Sequence, residues 1–491
     1  MKYIIGGMVL SITTGVFGQQ SPPVNTYKKR VLEATEVDFL MSYYRQDGDH
    51  ASVTGGVGNE ELTDITPTFV VAIPLNADDV LTIDAGISTY TSASSSNLDP
   101  FDASGASNGN GYDDDDDDDK NVNYKNTMPG NVTGSPWVAS SGASSQDTWG
   151  SVNASYSHSS DDRNSILGAN VAFATEYDYT SFGFGGSFTR LFNQKNTELS
   201  LKAQVYLDSW APAYPTELDS YLESGQNLNN GFFNGIDILD QNGAIIDKNG
   251  SQVWTPLNST LIEDRSRNSY TLSLSFSQIL SKKAQFSVFF DLVQQEGWLA
   301  NPMQRVYFSD RNNYYIGNAA SIANYTSPNN TDVFHLADDI ERLPNSRFKI
   351  PIGARFNYYI NENVSLRTYY RYYFDDWGIN SHTASIELPI KLGAGKFTFY
   401  PTFRYYTQTA ADYFAPYETH VSTSEFYTSD YDLAEFNSNQ FGLGLRYTDI
   451  FTRFKLFSLG LKSFDLKYSS YNRSDGLNAG IISAGFKFVL D

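Results

Sequence analysis

The 491 residues contain no cysteine. That one absence removes disulfides, thiolate nucleophiles, zinc–thiolate sites and a lipoprotein-type lipid anchor together. Past the first eighteen residues no segment approaches the roughly 18 continuous apolar residues that a spanning helix needs. With 40% hydrophobic residues and a mean hydropathy of −0.38, a bundle of membrane helices is excluded. Positive charge is also short, 34 Lys and Arg against 56 Asp and Glu. A net charge of −22 leaves no basic footprint for nucleic acid. Histidine is sparse and scattered, at His50, His158, His335, His382 and His420. No GxSxG, HExxH or phosphate-cradling glycine loop accompanies those residues, so enzymatic chemistry has little to work with. Ser157 with His158 at a strand end is the nearest approach to a hydrolase pair.

Aromatics are plentiful instead, 15% of the chain with 34 Tyr and 33 Phe. They fall into a repeated pattern of about ten alternating residues followed by a turn. Tyr270, Leu272, Leu274 and Phe276 alternate with Thr271, Ser273 and Ser275. Leu199, Leu201, Ala203, Val205 and Leu207 alternate with Ser200, Lys202, Gln204 and Tyr206. The same holds from Phe348 to Tyr358 and from Phe441 to Tyr447. Period two is the strand signal, since successive side chains point to opposite faces. Small polar residues on one face and Phe, Leu and Tyr on the other suit a strand between lipid and water.

The pattern predicts sixteen strands, near 35–46, 64–75, 80–91, 148–158, 165–176, 182–192, 198–209, 269–280, 285–296, 347–359, 364–375, 383–392, 397–408, 437–448, 457–469 and 478–490. Alternate connections are short: 76–79, 160–164, 193–196, 281–283, 361–363 and 392–396. Most of the others are long: 47–63, 92–147, 210–268, 297–346 and 409–436. A soluble sandwich has no reason to sort its loops in this way. An all-β transmembrane antiparallel up-and-down barrel does, with short periplasmic turns, long extracellular loops and, at an even strand number, both termini in the periplasm. Closure also pairs every backbone donor and acceptor, as lipid demands. The final strand sets Ile482, Ala484, Phe486, Phe488 and Leu490 on one face, a pattern suited to recognition by the barrel-assembly machinery.

Lys2 and the apolar Tyr3–Phe17 read as an export signal ending at residue 18, with cleavage before Gln19 and a periplasmic lead over 19–34 ahead of the barrel at 35–491. The destination is the outer membrane of a Gram-negative bacterium, with outer-membrane lipid around the wall.

Three groups of residues are candidates for function. Asp113, Asp114, Asp115, Asp116, Asp117, Asp118 and Asp119 run unbroken inside the second long loop. Adjacent carboxylates repel unless cations are present, and hard oxygen ligands suit Ca²⁺; otherwise the run is a solvated acidic segment. Asp47, Asp49, Glu60 and Glu61, with His50, could form a second oxygen-rich metal site around the glycine-rich 53–58. Lys349, Arg355, Arg367, Arg371, Asp375, Arg404 and Arg446 fall on polar strand faces, as do Lys202 and Asp208. Such residues line a lumen, where rings of charge set selectivity; otherwise they are the salt-bridged polar lining that any solvated interior needs.

The stretches from Glu33 to Asp38, Ser42 to His50, Val53 to Gly56 and Glu60 to Leu62 resemble a large uncharacterised outer-membrane family, common in Bacteroidota, that carries a domain-of-unknown-function label. The similarity runs on through Pro67, Asp79 to Thr82, Asp99-Pro100, the aspartate run and the end of the chain. It implies an outer-membrane barrel without catalytic residues to carry over. It further implies a lipoprotein partner in a periplasmic redox or secretion setting. The sequence thus favours a pore with acidic, cation-binding outer loops. A non-conducting barrel that anchors or displays an envelope assembly stays open, and an outer-membrane hydrolase is the weaker alternative.

Overall fold

A computed structural model describes residues 30–92, 147–176, 179–211, 214–257, 265–325, 333–393 and 395–490. The expected signal over 1–18, the cleavage site and the aspartate run at 113–119 lie outside the described residues.

One continuous antiparallel sheet closes on itself. Its strands are β1 Glu36–Asp47, β2 Leu62–Pro74, β3 Asp79–Ser92, β4 Asp147–Ser159, β5 Ser165–Thr175, β6 Tyr179–Phe192, β7 Thr197–Trp210 and β8 Arg265–Ser281. There follow β9 Ala284–Gly297, β10 Ser346–Asn361, β11 Val364–Asp375, β12 Asn380–Glu387 with Ile390–Leu392, β13 Phe397–Gln408, β14 Phe436–Thr448, β15 Leu459–Arg473 and β16 Asn478–Leu490. The sixteen predicted strands and the sixteen observed agree to within a few residues at each end. β12 is one strand in two pieces because Pro389 lacks a donor. The ladder is kept on either side of it, where Leu388 N–H bonds Pro401 O and Ser365 N–H bonds Pro389 O. Closure is made by β1, which pairs β2 on one edge and β16 on the other, from Glu36 opposite Val489 to Asp47 opposite Asn478.

The alternation explains the wall. Leu272, Leu274 and Phe276 of β8, Phe441, Leu443 and Leu445 of β14 and Ile482 of β16 are exposed on the outer face, which is lipid in a membrane. Their neighbours in sequence (Ser269, Arg267, Gln440, Ala479) are buried toward the interior. About 9–11 tilted residues cross a bilayer; β8 has 17, so it rises well above the membrane. An arginine at a lipid-facing midpoint should cost roughly 2–4 kcal/mol. Leu274→Arg is therefore expected to fold far less completely in phospholipid bilayers, while Ser273→Arg on the opposite face should not; equal yields of the heat-modifiable form would contradict the facing.

The connections are sorted as the lengths predicted. At the short end Asn76 accepts the backbone N–H groups of Asp78 and Asp79, and Asn361 those of Asn363 and Val364, closing two tight hairpins. The exception at that end is 449–458, a longer turn carrying a small extra strand Lys455–Leu456. At the other end 176–178, 376–379 and 474–477 are also short, so length separates the two ends imperfectly.

Candidate functional site

The interior divides into a polar lumen and a folded cap over the extracellular mouth. The register lines the lumen with charge of both signs. Glu36 and Asp38 of β1, Asp64 of β2 and Asp84 of β3 face inward, each opposite a neighbour on the same face: Glu36 opposite Ala72, Asp38 opposite Val70, and Asp84 between Val70 and Asn153. Asp64 is held by Ser88 and Thr66, both donating at 2.6 Å. None of β1–β6 contributes an inward Lys or Arg. Inward Arg267, Arg347, Lys349, Arg355, Arg367, Arg371, Arg404 and Arg446 come from β8, β10, β11, β13 and β14, and inward lysines of β15 and β16 stand beside β1, where Lys487 and Lys462 reach Glu36 at 3.0 and 3.5 Å.

These cations are braced. Arg347 donates to Asp375 at 2.5 and 2.8 Å, Tyr373 donates to the same carboxylate at 2.6 Å, and the Trp377 ring lies 4.3 Å from the guanidinium carbon. Lys349 stands opposite Asp375 in register. Arg267 lies over Trp210 at 4.7 Å and opposite Asp208. Arg355 approaches the Phe289 and Tyr369 rings, each at 5.7 Å, and those rings stack on one another. Gly353 makes that stack possible, since a Cβ there would sit 2.0 Å from Phe289. Lower down Arg367 pairs with Glu387 at 2.9 Å, and Arg446 with Asp465 at 3.3 Å. Arg371 is buried between Gly353 and Thr383, and half-buried Arg404 lies between Ser385 and Gln440. Lys202 shares the inner face of β7 with Asp208.

The cap is built from 214–257, 298–345 and 409–435. Its described residues include an α-helix, α1 (Thr216–Glu223), with Glu217 and Asp219 in its first turn where the helix dipole favours acid. It also holds a three-stranded sheet of Ile238–Asp240, Tyr314–Gly317 and Val333–His335. Leu218, Tyr221, Phe233, Ile238, Trp254 and Leu336 form its own core. A second cluster joins Leu299, Leu343, Ala411 and Leu433 of the loops to inward-facing Tyr373, Tyr406 and Phe436 of the wall. The described parts of 298–345 and 409–435 therefore fold into the mouth and not away from it. Arg305 clamps two of them, donating to both Glu217 oxygens at 2.6 and 2.9 Å and to Val53 O of the first loop at 2.6 Å. His335 stacks between Tyr307 and Tyr315, at 4.1 and 4.5 Å, with Tyr417 Oη 2.6 Å from its Nδ1. Burial pushes this imidazole down to about 3, so it stays neutral.

Beside the clamp lies a group of buried acids around Arg473. Arg473 bonds Asp432 and Asp475, each at a closest 2.5 Å, and Tyr431 O at 2.8 Å, with its guanidinium over Phe436 at 3.8 Å. Glu60 reaches this group, and burial, with Asp432 next to it, pushes its carboxyl up to about 8. Glu341, which accepts from Asn301 N–H and from Thr428 Oγ1, and Asp430 are also raised by burial and by neighbouring acid.

The structure spreads the second proposed metal set. Strand parity sends Asp47 and Glu61 outward, Glu61 lying 3.9 Å from Arg45, while Glu60 turns into the acid group. His50 is spent on structure, its ring nitrogens at 2.9 Å from Gly56 O and Asp475 O and its ring stacked on Tyr431. Gly56, at φ +86°, lets this loop press against 409–435, since a Cβ would meet Ser429 O at 2.5 Å. Among the described residues no three His, Asp or Glu side chains converge as metal ligands. Ser157 and His158 lie on opposite faces of β4, and His158 bonds Asp79 at 2.6 Å on the outer side. Sequence reasoning missed Arg473 and Glu341, whose partners come from distant loops without local pattern. The inward acids of β1–β3 were within reach of the parity rule.

A closed sixteen-stranded sheet, apolar outside and charged inside, defines a transmembrane β-barrel of the outer-membrane type. The chain belongs to the family of proteins of unknown function DUF3570, which matches residues 12–478. No curated protein matches it. Among solved structures it is similar to a bacterial polysaccharide outer membrane secretin (TM-score 0.40, 8% identity, 93% of this chain and 99% of that one). It is also similar to OpdK of Pseudomonas aeruginosa (TM-score 0.34, 8% identity, 94% and 99%). The TodX monoaromatic hydrocarbon channel mutant gives a TM-score of 0.38 at 8% identity, with 94% and 91% covered.

Proposed function

We propose that this barrel is an outer-membrane pore whose extracellular cap restricts its mouth, and that it is not an enzyme. The observation that carries this reading is a lumen lined by charged side chains of both signs. Inward carboxylates of β1–β3 stand beside inward Lys462 and Lys487 of β15 and β16, and inward guanidinium groups come from β8, β10, β11, β13 and β14. A sixteen-stranded lumen is too wide for side chains to fill. Opposed charges in a water-filled lumen orient and sort charged or dipolar solutes, whereas a solid core would gain nothing from them. The Asp113–Asp119 run in the second outer loop would collect divalent cations such as Ca²⁺ near the entrance, with Lys349, Arg355, Arg367, Arg371, Asp375, Arg404 and Arg446 lining the path.

Conductance of purified protein in a planar bilayer, with Ca²⁺ and then with chelator, tests the pore. Discrete conductance steps are expected, larger or more frequent once Ca²⁺ is removed. Arg355→Gln should move the reversal potential toward cation preference, and Asp38→Asn toward anion preference. Silence from demonstrably folded protein in both conditions would overturn the pore reading. The packed cap would then point to a barrel that holds an envelope assembly, with a lipoprotein partner.

A further inference from the structure

We propose that the turn between β14 and β15 is a lipid anchor, an apolar and basic hairpin seated in the periplasmic leaflet against anionic phospholipid. The other turns at that end need only a few residues, yet this one runs over 449–458. It places Phe457 at 94% exposure, Ile450 at 82%, Phe451 at 74% and Phe454 at 60%. A patch of this kind facing water is costly, and marks a surface that is covered.

The backbone shows what covers it. Lys455 and Leu456 pair with Gly460 and Leu459, and Leu461 N–H bonds Phe454 O at 2.8 Å. Phe454 and Leu456 therefore stand across from Leu461 and Leu459 on one face. Those two residues stand across from Phe488 and Leu490 of β16, which face outward. The hairpin is thus a continuation of the lipid-facing wall where β14 itself has ended. Its tip makes the same point in backbone terms. Phe457 adopts φ +56°, a left-handed conformation in which glycine costs least. A bulky ring held there has a use for its exposure.

Charge selects the lipid. The chain as a whole carries −22, but Arg453 and Lys455 are exposed on this turn. Its one acid, Asp449, is buried and accepts the backbone N–H groups of Phe451 and Arg453. Apolar rings beneath basic side chains are the arrangement of an interfacial anchor on an anionic surface.

The absence of cysteine allows a clean test. Phe457→Cys and, as an aqueous reference, Lys195→Cys in the short β6–β7 turn would each carry a single nitroxide in the full-length barrel. Both would be reconstituted in phosphatidylethanolamine–phosphatidylglycerol vesicles. The 457 label is expected to collide with oxygen several-fold more than with a water-soluble nickel complex, and the 195 label to show the reverse. Replacing phosphatidylglycerol by a zwitterionic lipid should draw the 457 label toward water. A 457 label as aqueous as the 195 label overturns the anchor. A label that is aqueous in vesicles but shielded from both reagents in native outer membranes overturns it too, in favour of a protein partner. Neither readout depends on conduction.

Discussion

Replacing Arg473 with alanine is expected to release the cap while leaving the barrel wall closed. The guanidinium is buried, and it joins three segments: Asp432 and Tyr431 of 409–435, Asp475 of the 474–477 turn, and Phe436 at the top of β14. Without it, half-buried Asp432 and Asp475 would stand as uncompensated charges beside Glu60 and Asp430. Removing one partner of a buried ion pair costs about 3–5 kcal/mol, because the other charge stays desolvated. That penalty falls on the cap, whose attachment is local, more than on strands locked by continuous ladders on both edges. Arg473→Lys should recover part of the loss, since an ammonium keeps the charge but cannot reach two carboxylates and a carbonyl as a planar fork does. Limited proteolysis of the folded protein is the measurement. New cleavage within 409–435 and 298–345, with heat-modifiable migration retained, is expected for Arg473→Ala. Protection equal to wild type would show that the latch lies elsewhere.

The wall was legible in the sequence because its cause is local. Side chains alternate at period two and the two solvents differ, so Leu272 and Thr271 declare their faces without reference to anything distant. The same rule placed Arg355, Arg367 and Arg371 on inward positions. It applied equally to Asp38, Asp64 and Asp84, where single acids among apolar and small residues raised a weaker signal than repeated arginines. The cap was not legible. Arg305 and Glu217 are 88 residues apart, and Thr428 and Glu341 are 87 apart. Nothing in the local pattern of either pair announces the other. Proximity in sequence misled as well: Glu60 and Glu61 look like one ligand pair, yet just ahead of β2 they turn to different sides, Glu60 buried and Glu61 exposed.

The buried acids give the cap a pH dependence opposite to that of an ordinary acidic loop. Glu60 has an unperturbed value near 4.5 and is pushed up to about 8 in the folded cap, by burial first and then by Asp432, with Asp430 and Asp475 adding to it and Arg473 opposing. Glu341 and Asp430 are raised for the same reasons. A carboxyl whose folded value is raised binds its proton more tightly when the cap is docked than when it is not. Its contribution is therefore complete below about 4.5 and is lost as pH rises through about 8. For Glu60 alone the difference is on the order of 5 kcal/mol. The cap should be tightest in mild acid and loosen between neutral and alkaline pH. Hydrogen exchange over 298–345 and 409–435, corrected for the intrinsic rate, should show protection at pH 6 that falls by pH 9. Glu60→Gln fixes the uncharged form and should flatten much of that fall without lowering protection at pH 6. A wild-type profile already flat across this range would mean that these acids are ionised in the folded cap, with Arg473 and water supplying all the compensation they need.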